Sequence, residues 1–362
     1  MRFFNIDQHI SVIADMKKIF NDLGHTIDDK CLSGHAFVMN RKPDNIPMLD
    51  GENWRGFDER EGWDEFYSTY GKELEQYDGF ICCYPPIFSM LYTLFNKPII
   101  MNIPIRYDYS LENHPKRLER FNTFIRNAVK AGKLFLVANN KFDQKYCETF
   151  TGEKVVHIPS LCEYFTYKYS PNTDFSLYYS RENISELSDF AIKKESVLHA
   201  GYSWNDICKF KGVVHFPYQV STMSIFEQYT ANIPLFVPSK EFMLELYRKD
   251  YSVLWHYSPF LLANGRNGKK SLVPFSSEYD PNDYENLNAV EYWLQFADYY
   301  DNTWMQHIIQ FKSYDHLRSL QQKTIDFNRV SEEMRIHNIE RKRQVYKLWK
   351  SLMNEVADNV YN

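Results

Sequence analysis

Short apolar runs that alternate with segments of helical periodicity constrain the fold of this chain more than any other feature of its sequence. In the first half, helical spacing occurs at 10–23, 87–95, 118–131 and 143–150, and apolar runs lie at 2–6, 36–39, 80–84, 99–103, 133–138 and 155–159. Strands that alternate with helices pair in parallel through right-handed crossovers. The pattern therefore predicts an α/β fold with a doubly wound parallel sheet.

The same alternation returns in the second half, after a Tyr-, Ser- and Asn-rich stretch at 164–180 that is typical of a linker. We expect strands at 196–200, 213–216 and 234–237, helices at 184–194, 224–231, 242–247, 287–296 and 305–320, and a closing helix from about Ser331. A chain of 362 residues exceeds the size at which one core usually keeps growing. We therefore predict two Rossmann-like domains, residues 1–165 and 166–330, and a C-terminal helix at 331–362.

Charge and cysteine content argue against several other classes of protein. The net charge of −5 provides no basic field that would draw the chain onto nucleic acid, so we expect no nucleic-acid partner. The six cysteines form no CxxC pair and are expected to be buried free thiols in a reducing compartment. Because the sequence shows no cleavable leader and no apolar run of transmembrane length, we expect a cytoplasmic protein without a membrane span.

Polar residues follow two predicted strands of the second half, at the position where a parallel sheet binds its ligands. The two loops hold His199, Gly201, Tyr202 and Ser203, and then Pro217, Tyr218, Gln219, Ser221, Thr222 and Ser224. Hydroxyl and backbone N–H groups at a helix start bind phosphate oxygens, and a glycine such as Gly201 lets a loop approach them closely. Glu227 lies in the following helix, where its carboxylate could accept two hydrogen bonds from a ribose. These residues predict a nucleoside-diphosphate site; the alternative is that the hydroxyls only cap the helix and Glu227 only interacts with its dipole.

Two segments of the chain resemble glycosyltransferases of the GT-B type. Residues 224–239, SIFEQYTANIPLFVPS, resemble the donor-site segment of that family, and residues 155–160, VVHIPS, resemble its last strand before the interdomain linker. The closing helix also fits, since GT-B chains commonly send their C-terminal helix back to the N-terminal domain. The resemblance implies two Rossmann-like domains that face a central cleft, with the nucleotide-sugar donor bound mainly by the C-terminal domain. The Lys- and Asn-rich composition is also similar to that of glycosyltransferases of large algal DNA viruses.

The resemblance implies transfer of a hexosyl or pentosyl group from a nucleoside-diphosphate sugar to an oligosaccharide or glycan acceptor, as in glycan biosynthesis. Glu227 would bind the ribose, and the loop 221–224 would bind the diphosphate. Many retaining members of the family carry another glutamate, separated from this one by seven residues, and here that position is Gln219. An amide cannot carry the negative charge that a carboxylate offers beside the anomeric carbon. We therefore expect transfer with inversion.

Inverting transfer needs a general base for the acceptor hydroxyl, and related inverting enzymes often carry it in the loop after the first strand. Here that loop contains Asp7 and His9. We expect one of them to be the catalytic base, with Asp7 either accepting the proton directly or orienting His9. The alternative is that Asp7 caps the next helix and His9 is exposed.

Other residues complete the expected site. The resemblance implies that helix starts and cations, rather than a metal, stabilise the leaving diphosphate. The candidate cations are Lys209, Lys211 and Arg248. No acidic motif or histidine spacing indicates a metal site, so we expect no metal and no cofactor besides the donor substrate. The candidates for binding the acceptor sugar, each of which could instead pack in the core, are Tyr84, Asn102, Arg106 and Asp108.

The sequence leaves three other functions open. A nucleotide-sugar epimerase of the same fold would consume donor without an acceptor. A non-catalytic scaffold or binding protein would fold without turnover. An NAD-dependent enzyme is disfavoured, because no GxGxxG motif follows the first strand.

Overall fold

The computed structural model describes residues 1–49, 60–109, 111, 114–180, 182–198, 202–249, 278–283 and 285–361. Within this part, the chain divides into two compact units. The first unit contains residues 1–160 and the end of the chain from Gln344, and the second runs from Leu161 to Arg343. The first unit is therefore discontinuous in sequence.

A six-stranded parallel sheet forms the centre of the first unit. Its strands are β1 (Arg2–Asp7), β2 (Thr26–Cys31), β3 (Gly79–Cys82), β4 (Ile99–Ile103), β5 (Leu134–Ala138) and β6 (Val156–His157). They lie in the order β2-β1-β3-β4-β5-β6, and all neighbours are parallel. All residues of β3 and β4 are buried, as expected for central strands that helices cover on both faces.

Helices connect these strands. They are α1 (Ile10–Asp22), α2 (Arg60–Leu74), α3 (Pro115–Lys130) and α4 (Lys141–Thr151), with 3-10 helices at Ala36–Met39, Pro47–Leu49 and Pro86–Phe95. Pro115 begins α3, where a missing backbone N–H costs no helical hydrogen bond. The side chain of Asn140 caps α4 by accepting the backbone N–H of Asp143, and Gly152 ends this helix with a φ of 77°.

The second unit contains a five-stranded parallel sheet of short strands. They are β7 (Ser176–Tyr179), β8 (Ala191–Lys193), β9 (Val213–His215), β10 (Leu235–Pro238) and β11 (Ile309–Phe311). The order is β11-β10-β9-β7-β8, again with parallel neighbours. The helices are α5 (Lys194–Val197), α6 (Trp204–Cys208), α7 (Met223–Thr230), α8 (Lys240–Lys249), α9 (Leu287–Leu294) and α10 (Tyr314–Ser319), with 3-10 helices at Ser185–Leu187 and Asp298–Tyr300 and a π-helix at Leu320–Thr324.

One helix of 35 residues, α11 (Phe327–Tyr361), closes the described chain and begins slightly before the predicted Ser331. Its residues from Gln344 onward belong to the first unit. There Trp349 is 2% exposed and packs edge-on against Phe20 of α1, with 5.3 Å between the ring centroids. This end of α11 is therefore part of the core of the first unit.

Two parallel sheets connected by helices confirm the predicted α/β class with two Rossmann-like domains. When strands are numbered within each unit, both sheets have the order 2-1-3-4-5, and the first sheet has one more strand. In such a sheet the strand order reverses between the first and third strands, and ligands bind beyond the carboxyl ends of the strands at this switch point. The switch points lie between β1 and β3 and between β7 and β9.

Several predicted elements are wrong in detail. Residues 36–39 form a 3-10 helix, and the second strand lies earlier in the chain, at β2. The predicted linker contains β7, and the predicted helix at 184–194 is a 3-10 turn followed by β8. Helix α5 occupies part of the predicted strand at 196–200, and the predicted helix at 305–320 contains β11 and α10.

The six cysteines are all free and buried, as predicted. None of the described helices combines the length and the apolar character that a membrane span requires.

Candidate functional site

Three strand ends meet at the switch point of the second unit. Tyr179, the last residue of β7, pairs in register with His215, the last residue of β9. On the other side of β7, Lys193 of β8 pairs with Tyr178, so Lys194 follows at the same edge of the sheet. A phenol ring, an imidazole and an ammonium group therefore share the carboxyl edge of this sheet.

Lys194 provides a cation at this edge. Its Nζ lies 5.0 Å from the ring centroid of Tyr179 and 4.6 Å from that of Tyr202, within the range of cation–π contacts. Among the described residues, no acid forms a salt bridge with this ammonium group. Its positive charge is therefore available to an anionic ligand.

His215 has a structural role beside this cation. Its Nε2 lies 2.5 Å from Oε1 of Gln228, and its ring lies 4.7 Å from that of Tyr179. Burial lowers the pKa of His215 to about 4, although the hydrogen bond with Gln228 partly opposes this shift. The imidazole is therefore neutral at pH 7 and donates to the amide oxygen.

Acidification from about pH 6.5 to about pH 4 is expected to remove roughly 2–3 kcal/mol of stability through His215. The pKa of this histidine is lower in the folded chain than in the unfolded chain, so the unfolded chain binds more protons in this interval. The contribution of His215 to the free energy of unfolding is therefore fully present above pH 6.5 and is lost as the pH falls to 4. Urea denaturation across this range measures the effect.

The variant His215→Asn should lose this contribution to the pH dependence, whereas a matched change at the exposed His114, His114→Asn, should keep it. Equal pH dependence in the His215→Asn variant and the unmodified chain would contradict the assignment.

The start of α7 carries the hydroxyl groups that follow β9. Thr222 is the N-cap residue, but its side chain makes no capping hydrogen bond. Its Oγ1 instead lies 3.3 Å from Oγ of Ser224, and Ser221 is buried immediately before it. The side chain of Thr222 therefore does not cap the helix.

Glu227 lies in the same helix and is half-buried. One carboxylate oxygen accepts a hydrogen bond from the hydroxyl of Tyr164. The ring of Tyr164 packs edge-on against Trp204, the first residue of α6, with 5.7 Å between the centroids. Tyr164 therefore connects Glu227, the residue predicted to bind the ribose, to the start of α6. Neither Tyr164 nor Trp204 was singled out by the sequence.

The other predicted donor residues of the two loops differ in exposure. Tyr202 and Tyr218 are exposed, Gln219 is half-buried and Pro217 is buried. Ser203 donates both its backbone N–H and its hydroxyl to Asp206, at 3.0 Å in each case, so this hydroxyl already has a partner. His199 and Gly201 lie outside the described residues.

The candidate cations do not gather at the start of α7. Lys211 lies two residues before β9 and donates from Nζ to the backbone oxygen of Gln321 at 2.9 Å, which places it at the amino edge of the sheet. Lys209 pairs with Asp206 at 2.9 Å. Arg248 lies in the last turn of α8, away from the helix start that follows β10. Lys194, which the sequence did not single out, instead follows β8 at the carboxyl edge of the sheet.

In the first unit, Asp7 at the end of β1 is hydrogen-bonded to the segment that follows β3. It is fully buried, and its carboxylate accepts the backbone N–H of His9 and, at 3.1 Å, that of Tyr84. Burial raises the pKa of Asp7 to about 7, against the effect of these hydrogen bonds. Asp7 contacts the backbone of His9 and not its ring. The expectation that Asp7 accepts the proton or orients the imidazole is therefore corrected, because one oxygen holds the backbone of His9 and the other joins β1 to the segment after β3.

His9 is the residue before α1 and is half-buried. Its ring lies 5.9 Å from that of Tyr84, and burial lowers its pKa to about 4. Its Nδ1 is buried and has no hydrogen-bond partner within the described part of the chain. The imidazole is therefore neutral at pH 7, which is the form that can accept a proton.

A polar cavity of about 390 Å³ opens beside the switch point of the first unit. It lies at the carboxyl ends of β1 and β2 and falls within the usual size range of small-molecule sites. Its polar lining includes Gln8, Ser33, His35, Asp44, Asn45 and Tyr84. Asp44 accepts the backbone N–H of Cys31 at 2.7 Å, which fixes the loop to the end of β2.

Of the four predicted acceptor residues, only Tyr84 lines this cavity. Arg106 and Asp108 are buried and form a salt bridge at 2.8 Å, and Tyr146 donates to the same carboxylate at 2.9 Å. Asn102 is also buried, with Nδ2 3.2 Å from the sulfur of Met16. These three residues pack inside the unit, so their assignment to the acceptor is corrected.

No group of three His, Cys, Asp or Glu side chains is arranged as a metal site among the described residues. Metal independence stays a prediction.

The protein therefore belongs to the α/β class, with two Rossmann-like sheets that each carry polar groups at the switch point. No protein-family model and no curated protein matches the chain. It is similar to the solved glycosyltransferase of kitacinnamycin (9% identity, 98% of this chain and 99% of that chain covered, TM-score 0.45). It is also similar to the spinosyn forosaminyltransferase SpnP (9% identity, 99% of each chain covered, TM-score 0.45) and to the glycosyltransferase SnogD from Streptomyces nogalater (9% identity, 82% and 95% covered, TM-score 0.38). At these identities and TM-scores, the function has to be inferred from the residues of the chain itself.

Proposed function

We propose that the chain is a glycosyltransferase whose second unit binds a nucleoside-diphosphate sugar and whose first unit binds a saccharide acceptor. The observation that carries the proposal is the convergence of Lys194, the hydroxyl-bearing start of α7 and Glu227 around one switch point. A cation, hydroxyl groups at a helix start and a carboxylate match the chemistry of a diphosphate attached to a ribose.

Each part of the donor has a proposed partner. The carboxylate of Glu227, which Tyr164 positions by its hydrogen bond, accepts the hydroxyls of the ribose. Backbone N–H groups and hydroxyls of residues 221–224 bind the diphosphate. Lys194 compensates the negative charge that develops on the leaving diphosphate. This assignment needs no metal ion, and hexosyl or pentosyl transfer are both compatible with it.

On the acceptor side, we propose that the polar cavity beside Tyr84 receives the sugar and that His9 is the general base. The support for His9 is its place two residues after β1, beside Tyr84, and its buried Nδ1, which has no hydrogen-bond partner within the described part of the chain. Gln219 provides no carboxylate at the position that many retaining relatives use, so inversion remains part of the proposal.

The test is a thermal-shift screen against UDP, GDP, CDP, dTDP and NAD. A ligand at 100 times its Kd stabilises the folded chain by about 2.7 kcal/mol, so one nucleoside diphosphate should raise the Tm by several degrees. The variant Glu227→Ala should bind that nucleotide about tenfold more weakly, because a charged hydrogen-bond acceptor is lost. The matched control is Glu245→Ala, which removes an exposed glutamate of α8 and should keep the full shift.

Product analysis with the corresponding nucleotide sugar completes the test. Transfer to an added saccharide supports a glycosyltransferase, whereas donor conversion without an acceptor indicates an epimerase. The donor site would be overturned if only NAD raised the Tm, or if none of the five nucleotides raised it.

A further inference from the structure

The first unit contains a second, larger cavity, of about 720 Å³, that the proposed function does not use. It lies between α3 and the 3-10 helix Pro86–Phe95 and reaches the amino ends of β4 and β5, where Ile99 and Lys133 line it. The polar cavity beside Tyr84 opens at the carboxyl ends of β1 and β2, the opposite edge of the sheet. We call the larger cavity the α3 groove.

The walls of the α3 groove are mainly apolar. They include buried Met90 and Tyr92 from the 3-10 helix, Phe124 and Ala128 from α3, and Trp63 from α2. The lining residues of α3 extend from residue 116 to residue 128, which corresponds to roughly 18 Å along a helix. The groove therefore matches an elongated apolar ligand better than a compact polar one.

Positive charge predominates around these apolar walls. Four of the lining residues are cations, Lys97, Lys116, Arg120 and Lys133, against one acid, Glu119. Glu119 already pairs with Arg126 at 2.8 Å, outside the groove. An anionic ligand therefore meets a favourable charge distribution.

One group of polar side chains lies where the groove reaches the starts of β4 and β5. Lys133 makes no salt bridge with any described acid, and the side-chain amides of Asn96 and Asn127 line the groove beside the strand starts. Lys97 is less available, because its ammonium donates to the carbonyl of Tyr77 at 2.5 Å and lies 3.5 Å from the carboxylate of Glu75. Lys133 with the two amides is therefore the best-placed group for an anionic head.

The indole of Trp63 adds a second polar feature to the walls. Its Nε1 is buried and has no hydrogen-bond partner among the described residues. Buried N–H donors are normally satisfied, so an oxygen atom of a bound molecule would remove this deficit.

We propose that the α3 groove binds one molecule of a linear anionic amphiphile, a long alkyl chain that ends in a carboxylate or a phosphate. The chain lies along α3 against Phe124 and Ala128, and the head group accepts hydrogen bonds from Lys133 and the amides of Asn96 and Asn127. This site lies outside the residues assigned to donor and acceptor and goes beyond the proposed transfer reaction.

Titration calorimetry of the full chain with monomeric decanoate and decyl phosphate, below their micelle concentrations, tests the proposal. Saturable binding of one molecule per chain is expected. The variant Lys133→Gln should weaken decanoate binding about tenfold and leave 1-decanol, which has the same chain without the charge, nearly unchanged. The matched control is Lys130→Gln, which removes an exposed cation of α3 outside the groove and should have no effect.

The variant Ala128→Phe places a large ring in the groove and should weaken decanoate and 1-decanol alike, with unchanged far- and near-UV circular dichroism spectra as proof of folding. Absence of saturable binding, or binding that neither Lys133→Gln nor Ala128→Phe changes, would overturn the site. Binding to phosphatidylglycerol vesicles without binding to monomeric decanoate would also overturn it, because it would indicate a membrane surface instead of a single-molecule site.

Discussion

Replacing Lys194 by methionine is expected to lower kcat for glycosyl transfer by about 100- to 1,000-fold, because one preorganised group that stabilises developing negative charge contributes this much to a rate. Methionine keeps the length and the apolar stem of the side chain but removes the ammonium group that lies over Tyr179 and Tyr202. The effect is measured as initial rates with a nucleotide sugar whose nucleotide raises the Tm in the thermal-shift screen.

The neighbouring Lys193 provides the control for this experiment. It belongs to β8, where successive side chains point to opposite faces, and its Nζ donates to Oδ1 of Asn183 at 3.0 Å. The variant Lys193→Met should therefore keep its rate. A Lys194→Met enzyme with an unchanged kcat would remove this residue from the proposed donor site.

The variant Trp349→Ala is expected to destabilise the first unit by about 3–5 kcal/mol, the usual cost of truncating a large buried aromatic side chain. Trp349 fills the space against Phe20, which is itself fully buried. The free energy of unfolding, from urea denaturation followed by circular dichroism, checks the prediction.

The next residue of the same helix gives a matched control for this change. Lys350 is exposed, so Lys350→Ala should leave the stability within about 0.5 kcal/mol of that of the unmodified chain. Similar stabilities of the Trp349→Ala and Lys350→Ala variants would show that the indole does not support the first unit.

The central strands of the first unit could be predicted because burial on both faces leaves a continuous apolar run, as in β4. The edge strand β2 could not. It hydrogen-bonds to a neighbour on one side only and carries Asp28 and Asp29, whose charges are paired with Arg2 and Arg41. The apolar segment at 36–39, which resembled a strand, instead exposes Phe37 and Val38.

The strands of the second unit are too short for a periodic signal. β8 and β11 have three residues each, so their apolar residues merge with neighbouring helical patterns. This is why the sequence predicted a helix across β8 and did not place Lys194 at a strand end. Long-range pairing with β7, which no local pattern encodes, fixes that position.

The candidate site shows the same division between local and long-range information. The passage from β9 through residues 221–224 to Glu227 is continuous in sequence, and its order of strand, loop and helix was predicted correctly. The pairing of Arg106 with Asp108 inside the first unit, and the use of both Asp7 oxygens by backbone N–H groups, depend on burial. A polar residue after a strand looks the same in sequence whether it contacts a ligand or the interior.

The discontinuity of the first unit has a consequence for biosynthesis. The ribosome completes residues 1–160 well before it adds Trp349. At about 5–20 residues per second, the two events are separated by roughly 10–40 seconds. During that interval Phe20 lacks the indole that covers it in the finished protein, so the nascent chain presents apolar surface to chaperones. The unit that is translated first is therefore completed only after the second unit has been translated.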